Sequence, residues 1–292
     1  PRKKEEKMNI EYRDIVSFDG TNLKAIVREN GCSEWLIVTH GLGEHQERHE
    51  HILKLFSQNF NICLYDLRGH GKSGGERAYV ESFQDFTRDL GVVLDYLRQN
   101  FSMKIYSLLG HSMGGLITAD YLQNFAKKDF YPKKVFFSSP AIGAAGLGGH
   151  LFSLAPDLFY KALSVLPSVE LKGILDLKKL SHDSRVYEAY IKDELNQLKI
   201  HSRLFFELLR TAREVFSRPL RAECPVYCAI GSDDHLVNYA MTVKYFSELE
   251  KGVSLKVFEG AYHELHNEVE KWRKPYLNYL RSSLTGLNYE AI

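Results

Sequence analysis

Eight short apolar runs recur along the chain, at 15–18, 23–27, 35–39, 62–65, 105–109, 135–137, 226–230 and 255–258. Most are unbroken rather than alternating, the pattern of strands buried on both faces. Between them, at 49–56, 83–97, 116–125, 239–249 and 269–280, apolar residues return every three or four positions, as on a helix with one buried face. This alternation predicts a mostly parallel, eight-stranded sheet flanked by helices, an α/β fold. One stretch departs from it. Over 142–217 no convincing strand appears, and a Gly/Ala-rich lead-in at 143–149 gives way to apolar and then charged helical pieces. So long a departure reads as a helical insertion between two strands, placed to cover a site. The expected organisation is one discontinuous core, 8–141 and 218–287, with a helical cap or lid over 142–217.

The charge balance narrows the function classes. Across 292 residues, 38 Lys and Arg face 37 Asp and Glu, a formal net charge of +1. Such a chain has no global field to gather nucleic acid, so no nucleic-acid partner is expected. Cys32, Cys63, Cys224 and Cys228 lack zinc or redox-pair spacing and read as reduced core thiols. No apolar run approaches the roughly 18 residues of a membrane span, and the charged start, Pro1 to Lys7, leads into no apolar region. The expectation is a cytoplasmic protein without a signal peptide, for which Met8 would serve as a natural start.

Candidate chemistry begins at Gly110-His111-Ser112-Met113-Gly114-Gly115, a G-x-S-x-G run between a predicted strand and a predicted helix. There the flanking glycines admit a sharp turn and the helix start favours developing negative charge. A serine hydroxyl is a poor nucleophile at neutral pH, so it needs a base, and the base needs a carboxylate to hold its tautomer. Both candidates follow later strands: Gly231-Ser232-Asp233-Asp234 after 226–230, and Gly260-Ala261-Tyr262-His263 after 255–258. These are carboxyl ends of strands, where open α/β sheets gather ligands. The residues leave either aspartate as the orienter, the other closing a turn. Upstream, the strand at 35–39 ends in His40-Gly41-Leu42-Gly43. The backbone N–H groups of Leu42 and Met113 are the expected oxyanion hole.

Gly71-Lys72-Ser73 is similar in outline to a phosphate loop, but the position that needs the first glycine is Asp66. The reading is a tight charged loop in which Asp66 and Arg68 hydrogen-bond the backbone. In the cap, Leu147, Leu151, Phe152, Leu154, Leu158, Phe159, Leu163 and Leu166 form a partly helical apolar series. It suits packing against the core, or an acyl channel whose lip rests on lipid.

These motifs, with Asp66-Leu67-Arg68-Gly69-His70-Gly71, Ser139-Pro140-Ala141 and His263-Glu264-Leu265-His266, run from 40 to 266. Together they resemble the monoacylglycerol lipase and lysophospholipase branch of the α/β-hydrolases, in its serine aminopeptidase S33 or Hydrolase_4 grouping. The resemblance implies the α/β-hydrolase fold, Ser112 as nucleophile, His263 as base and, through the pattern G-S-x-D, Asp234 as the orienting acid. It also implies that Glu44, His45, Arg48 and His266 shape the polar end of a pocket. Ser181-His182-Asp183-Ser184 and Asp193-Glu194-Leu195 match the branch only in part.

The expected function is hydrolysis of a single-chain ester lipid, foremost monoacylglycerol to fatty acid and glycerol, with no cofactor or metal. A long tail and a small head suit a capped pocket, and the cap would touch membrane transiently. The runner-up is a lysophospholipase, its basic mouth supplied by Arg48, Lys161 or Lys172. From another class comes a ligand-binding protein with little turnover on the same fold.

Overall fold

The computed structural model describes residues 10–143, 168–220, 222–249 and 252–287. Eight strands form one sheet: β1 (Ile10–Val16), β2 (Asn22–Arg28), β3 (Glu34–Thr39), β4 (Asn61–Tyr65), β5 (Ile105–His111), β6 (Val135–Ser138), β9 (Val226–Gly231) and β10 (Val253–Phe258). Across the sheet they run in the order β1-β2-β4-β3-β5-β6-β9-β10. The β1–β2 and β2–β4 pairs are antiparallel and the others parallel. The fold class is therefore the expected one.

The unbroken apolar runs follow from burial on both faces. Ile37, Cys63, Leu108 and Phe137 point into one core with helices α2 (Gln84–Asn100) and α3 (Met113–Asn124). Their neighbours Val38, Leu64, Leu109 and Phe136 point into the other, beneath α1 (His51–Leu55) and the C-terminal helix Glu270–Thr285. Successive strand residues alternate faces, so both must be apolar.

Three expectations change. The first strand is Ile10–Val16 rather than 15–18, because this edge strand leaves Tyr12, Arg13, Asp14 and Val16 exposed and shows little apolar signal. The helix expected at 49–56 is a 3₁₀ turn, Gln46–His49, followed by the short α1. The stretch 142–217 holds two short antiparallel strands, β7 (Glu170–Lys172) and β8 (Lys199–His201), besides helices α4 (Ser184–Lys192) and α5 (Ser202–Phe216). Three residues are too few to show a period. The apolar series from Leu147 to Leu166 lies outside the described residues. Beyond this stretch come α6 (Tyr239–Ser247) and α7 (Glu270–Thr285).

In the charged loop after β4, Asp66 accepts backbone N–H bonds from Gln46 and Lys72, each at 2.8 Å. Arg68 instead forks onto buried Asp89, with both contacts at 2.7 Å, and reaches Asp19 at 2.8 Å; it binds carboxylates rather than backbone. The four cysteines are unpaired, with Cys63 and Cys228 buried. Among the described residues no helix is long and apolar enough to cross a membrane.

Candidate active site

β5 ends at His111 and α3 starts at Met113, leaving Ser112 on the turn between them. Its backbone has φ 52° and ψ −119°, a strained conformation for a residue with a Cβ. Hydrogen bonds hold it there: the Ser112 N–H donates to the Ser138 carbonyl at 3.0 Å, and its own carbonyl accepts from Gly115 and Ala141, each at 2.9 Å. The flanking glycines are required by close approach. A Cβ on Gly110 would stand 2.5 Å from the Gly114 carbonyl oxygen. One on Gly114 would stand 2.5 Å from that of His40 and closer still to that of Thr39. Helix α3 thus begins directly against the end of β3.

The loops after β9 and β10 bring their side chains to the same edge. His263 Nε2 lies 2.9 Å from Ser112 Oγ, and His263 Nδ1 lies 2.7 Å from Asp234 Oδ2. A carboxylate can only accept, so Nδ1 carries the proton and the Nε2 lone pair faces the serine hydroxyl. Asp234 Oδ1 is occupied by the N–H groups of Leu236 and Val237 at 2.8 and 2.9 Å, which fixes the carboxylate plane. Asp233 is exposed and uses its N–H on the Ala261 carbonyl at 3.1 Å. The geometry therefore puts Asp234, not Asp233, on the histidine. Burial alone would press His263 toward neutrality. The charge and hydrogen bond of Asp234, with Glu264 and Glu44 behind, outweigh it and hold the imidazole above its ordinary 6.5.

A cavity of about 220 Å³ opens over this group. Leu42 and Met113 both border it, and Met113, as the first residue of α3, offers one of the N–H groups a helix start leaves unpaired. Ile174, Leu175, Leu180, Phe205 and Leu209, all from the segment between β6 and β9, give much of the wall its apolar character. Glu44, Asp176 and Glu264 are its acids, and no Lys or Arg lines it among the described residues.

Of the four residues expected at the polar end, Glu44 borders the cavity, while His45, Arg48 and His266 stand behind its wall. His45 Nε2 lies 2.8 Å from Asp193 Oδ2, beyond β7. Arg48 bridges two buried carboxylates, with Nε 3.1 Å from Glu44 and Nη2 2.6 Å from both oxygens of Glu264. His266 stacks on His51, centroids 5.1 Å apart, and packs against His111 at 5.0 Å. Burial holds His111 and His266 well below the ordinary histidine range, and hence neutral. Burial opposes the charge on Glu44, but His49 and Arg48 help hold its carboxyl well below the usual range. Glu44, His111 and Glu264 present atoms within 4.8 Å of one another. The Arg48 guanidinium already pairs with both carboxylates, so the cluster is an ion-pair network rather than a ready cation site.

Among the lining residues that sequence reasoning did not single out are Glu264, His111 and Tyr190. The first two adjoin His263 and Ser112, a signal that could have found them. Tyr190 sits on α4 of the insertion, its ring 4.8 Å from the Arg48 guanidinium, and nothing local marks it.

A mostly parallel sheet carrying hydrogen-bonded serine, histidine and aspartate at its carboxyl edge defines the α/β-hydrolase class. The chain belongs to the serine aminopeptidase S33 (Hydrolase_4) family, whose profile matches residues 33–270. Monoglyceride lipase of Homo sapiens is 31% identical over 273 residues, covering 89% of this chain and 87% of that protein. Phospholipase YtpA of Bacillus subtilis is 28% identical over 243 residues, covering 81% and 90%. A soluble variant of monoglyceride lipase from Saccharomyces cerevisiae, solved with a substrate analogue, shares the fold. Its TM-score is 0.80 at 20% identity, with 99% of each chain covered.

Proposed function

We propose that this carboxylic ester hydrolase cleaves a neutral single-chain lipid ester, monoacylglycerol, to fatty acid and glycerol through an acyl-enzyme on Ser112. The observation that carries the reading is the hydrogen-bonded run Ser112, His263, Asp234 on an apolar cavity whose polar end is acidic, with no Lys or Arg among the described lining residues. Ser112 Oγ attacks the ester carbonyl as His263 Nε2 takes its proton, and the N–H groups of Leu42 and Met113 receive the charge on the former carbonyl oxygen. His263 returns the proton to the departing glycerol oxygen. Water, activated by the same imidazole, then releases the fatty acid.

Residues 142–217 serve as the cap over the core of 8–141 and 218–287, and their described part supplies most of the apolar lining. The acids at the polar end favour a neutral head over a phosphate. Of the basic residues suited to a phospholipid head, Arg48 is paired with Glu44 and Glu264, Lys172 is exposed on β7, and Lys161 lies outside the described residues. The proposed setting is the cytoplasm, with the cap touching membrane while substrate loads.

The test compares fatty-acid release from monoacylglycerols and lysophosphatidylcholines of matched chain length. Faster release from the glycerides is expected; preference for the phospholipids would move the headgroup assignment. Ser112→Ala should remove about 10⁴-fold or more of the rate at unchanged Tm, and near wild-type activity would overturn the nucleophile. Covalent labelling of Ser112 by a fluorophosphonate separates a hydrolase from a binding protein with little turnover.

A further inference from the structure

The loop bearing His263 is anchored on both sides of the base by the insertion. Glu264, just after it, donates its N–H to the Leu180 carbonyl at 2.7 Å. Tyr262, just before it, donates its N–H to Glu268 Oε1 at 2.8 Å. The side chain of Glu268 is fully buried. It also accepts from His182 Nδ1 at 2.8 Å, from the His182 N–H at 3.1 Å, from Val269 N–H at 3.0 Å and from Ser181 Oγ at 3.3 Å. The His182 ring stacks on Tyr262, centroids 3.6 Å apart, and on Trp272 at 4.5 Å. Lys179 Nζ reaches the Tyr262 hydroxyl at 3.1 Å, and His235 packs edge-on against the same ring at 5.3 Å. Asp183, the N-cap of α4, follows directly.

A catalytic imidazole must stand within about half an ångström of its working position. The sheet fixes where this loop begins, at the end of β10, but Tyr262 and Glu264 are fixed through residues 180–182. We infer that His182 is a positioning residue for the base: through Glu268 and Tyr262 it sets where His263 stands between Asp234 and Ser112. Resting on the Ser112 mechanism proposed above, the inference gives the insertion a part in the chemical step as well as in substrate contact.

The test measures fluorophosphonate labelling of Ser112, kcat, KM and thermal melting for wild type, His182→Ala and His182→Arg, with pH profiles over about pH 5 to 10. His182→Ala should slow labelling and kcat by about tenfold to a hundredfold with KM little changed. It should also move the acid limb of kcat/KM to lower pH, because a displaced His263 loses part of the Asp234 interaction that raises it. His182→Arg should restore most of the rate, since a planar guanidinium stacks on the same rings and forks onto Glu268. Labelling at the wild-type rate with the acid limb in place, or a loss matching only the unfolded fraction, overturns the inference. Should His182→Ala not fold, His182→Gln, which keeps a donor to Glu268 without the ring, takes its place: slower labelling with a shifted acid limb supports the inference, and wild-type values of both overturn it. Wild type that neither labels nor hydrolyses overturns the hydrolase reading itself, and this inference with it.

Discussion

The turn that carries Ser112 and the loop that carries His263 meet across 2.9 Å, yet different forces hold them. The serine turn is held by its backbone hydrogen bonds and, beyond them, by excluded volume: Gly110 and Gly114 lie where no Cβ fits, and Met113, Leu116 and Ile117 behind it are wholly buried. The histidine loop is held largely by polar contacts, among them Ser139 Oγ donating to the His263 carbonyl at 2.8 Å and the bonds of Tyr262 and Glu264 to Glu268 and Leu180. Steric placement tolerates almost no substitution, whereas polar placement accepts any side chain that offers the same donors. The first leaves a mark in the sequence and the second does not.

The largest expected effect falls on the polar side. Asp234→Asn should lower kcat by about 10⁴-fold, because an amide no longer enforces the Nδ1-protonated tautomer. The pH profile reports the cause. In wild type the rate should fall as pH drops through a midpoint above 6.5, where His263 takes up its proton and can no longer act as base. With the carboxylate charge gone, burial is less opposed and the midpoint should move to lower pH. An unmoved midpoint would deny Asp234 its electrostatic role.

On the steric side, Gly114→Ala should cost about 3 kcal/mol or more of stability, read as a fall in the urea midpoint, because backbone carbonyls of β3 occupy the new methyl position. A variant as stable as wild type would show that this turn yields more than its packing implies. Arg48→Met should destabilise by about 3 kcal/mol at neutral pH, a broken buried pair that leaves Glu44 and Glu264 without their guanidinium. Part of that loss should vanish in acid. Glu44 has a depressed pKa, so it stabilises the native pair above its unfolded value of 4.5, and protonation as pH falls removes that contribution.

The same contrast explains what could be read in advance. Strands β3 to β6 declare themselves because residues such as Leu36 and Ile37 are buried on opposite faces. The edge strand β1 hides behind exposed charges, and β7 and β8 are too short to show a period. Ser112 is legible because its glycines are obligatory. Asp234 is not separable locally from Asp233, since the difference is which carboxylate the chain turns toward His263. Glu268 and His182, 86 residues apart, become partners only once the insertion folds back on the loop.

The insertion leaves the sheet after β6 and the chain returns in β9, which is the neighbour of β6. A loop spliced between adjacent parallel strands can change length without altering their register, and closing a longer loop adds only a logarithmic entropy cost. That makes the insertion exchangeable, a cassette through which a different apolar lining could be set beside an untouched Ser112 turn. The exchange is not free of terms, however: a donor cassette must bring counterparts of Leu180 and His182, which grip the base loop, and of Asp193 and Gln197, which hold the turn after β3, Gln197 by donating its N–H to the Gly43 carbonyl at 2.7 Å. A chimera built on lining residues alone would accept its new substrate and turn it over slowly.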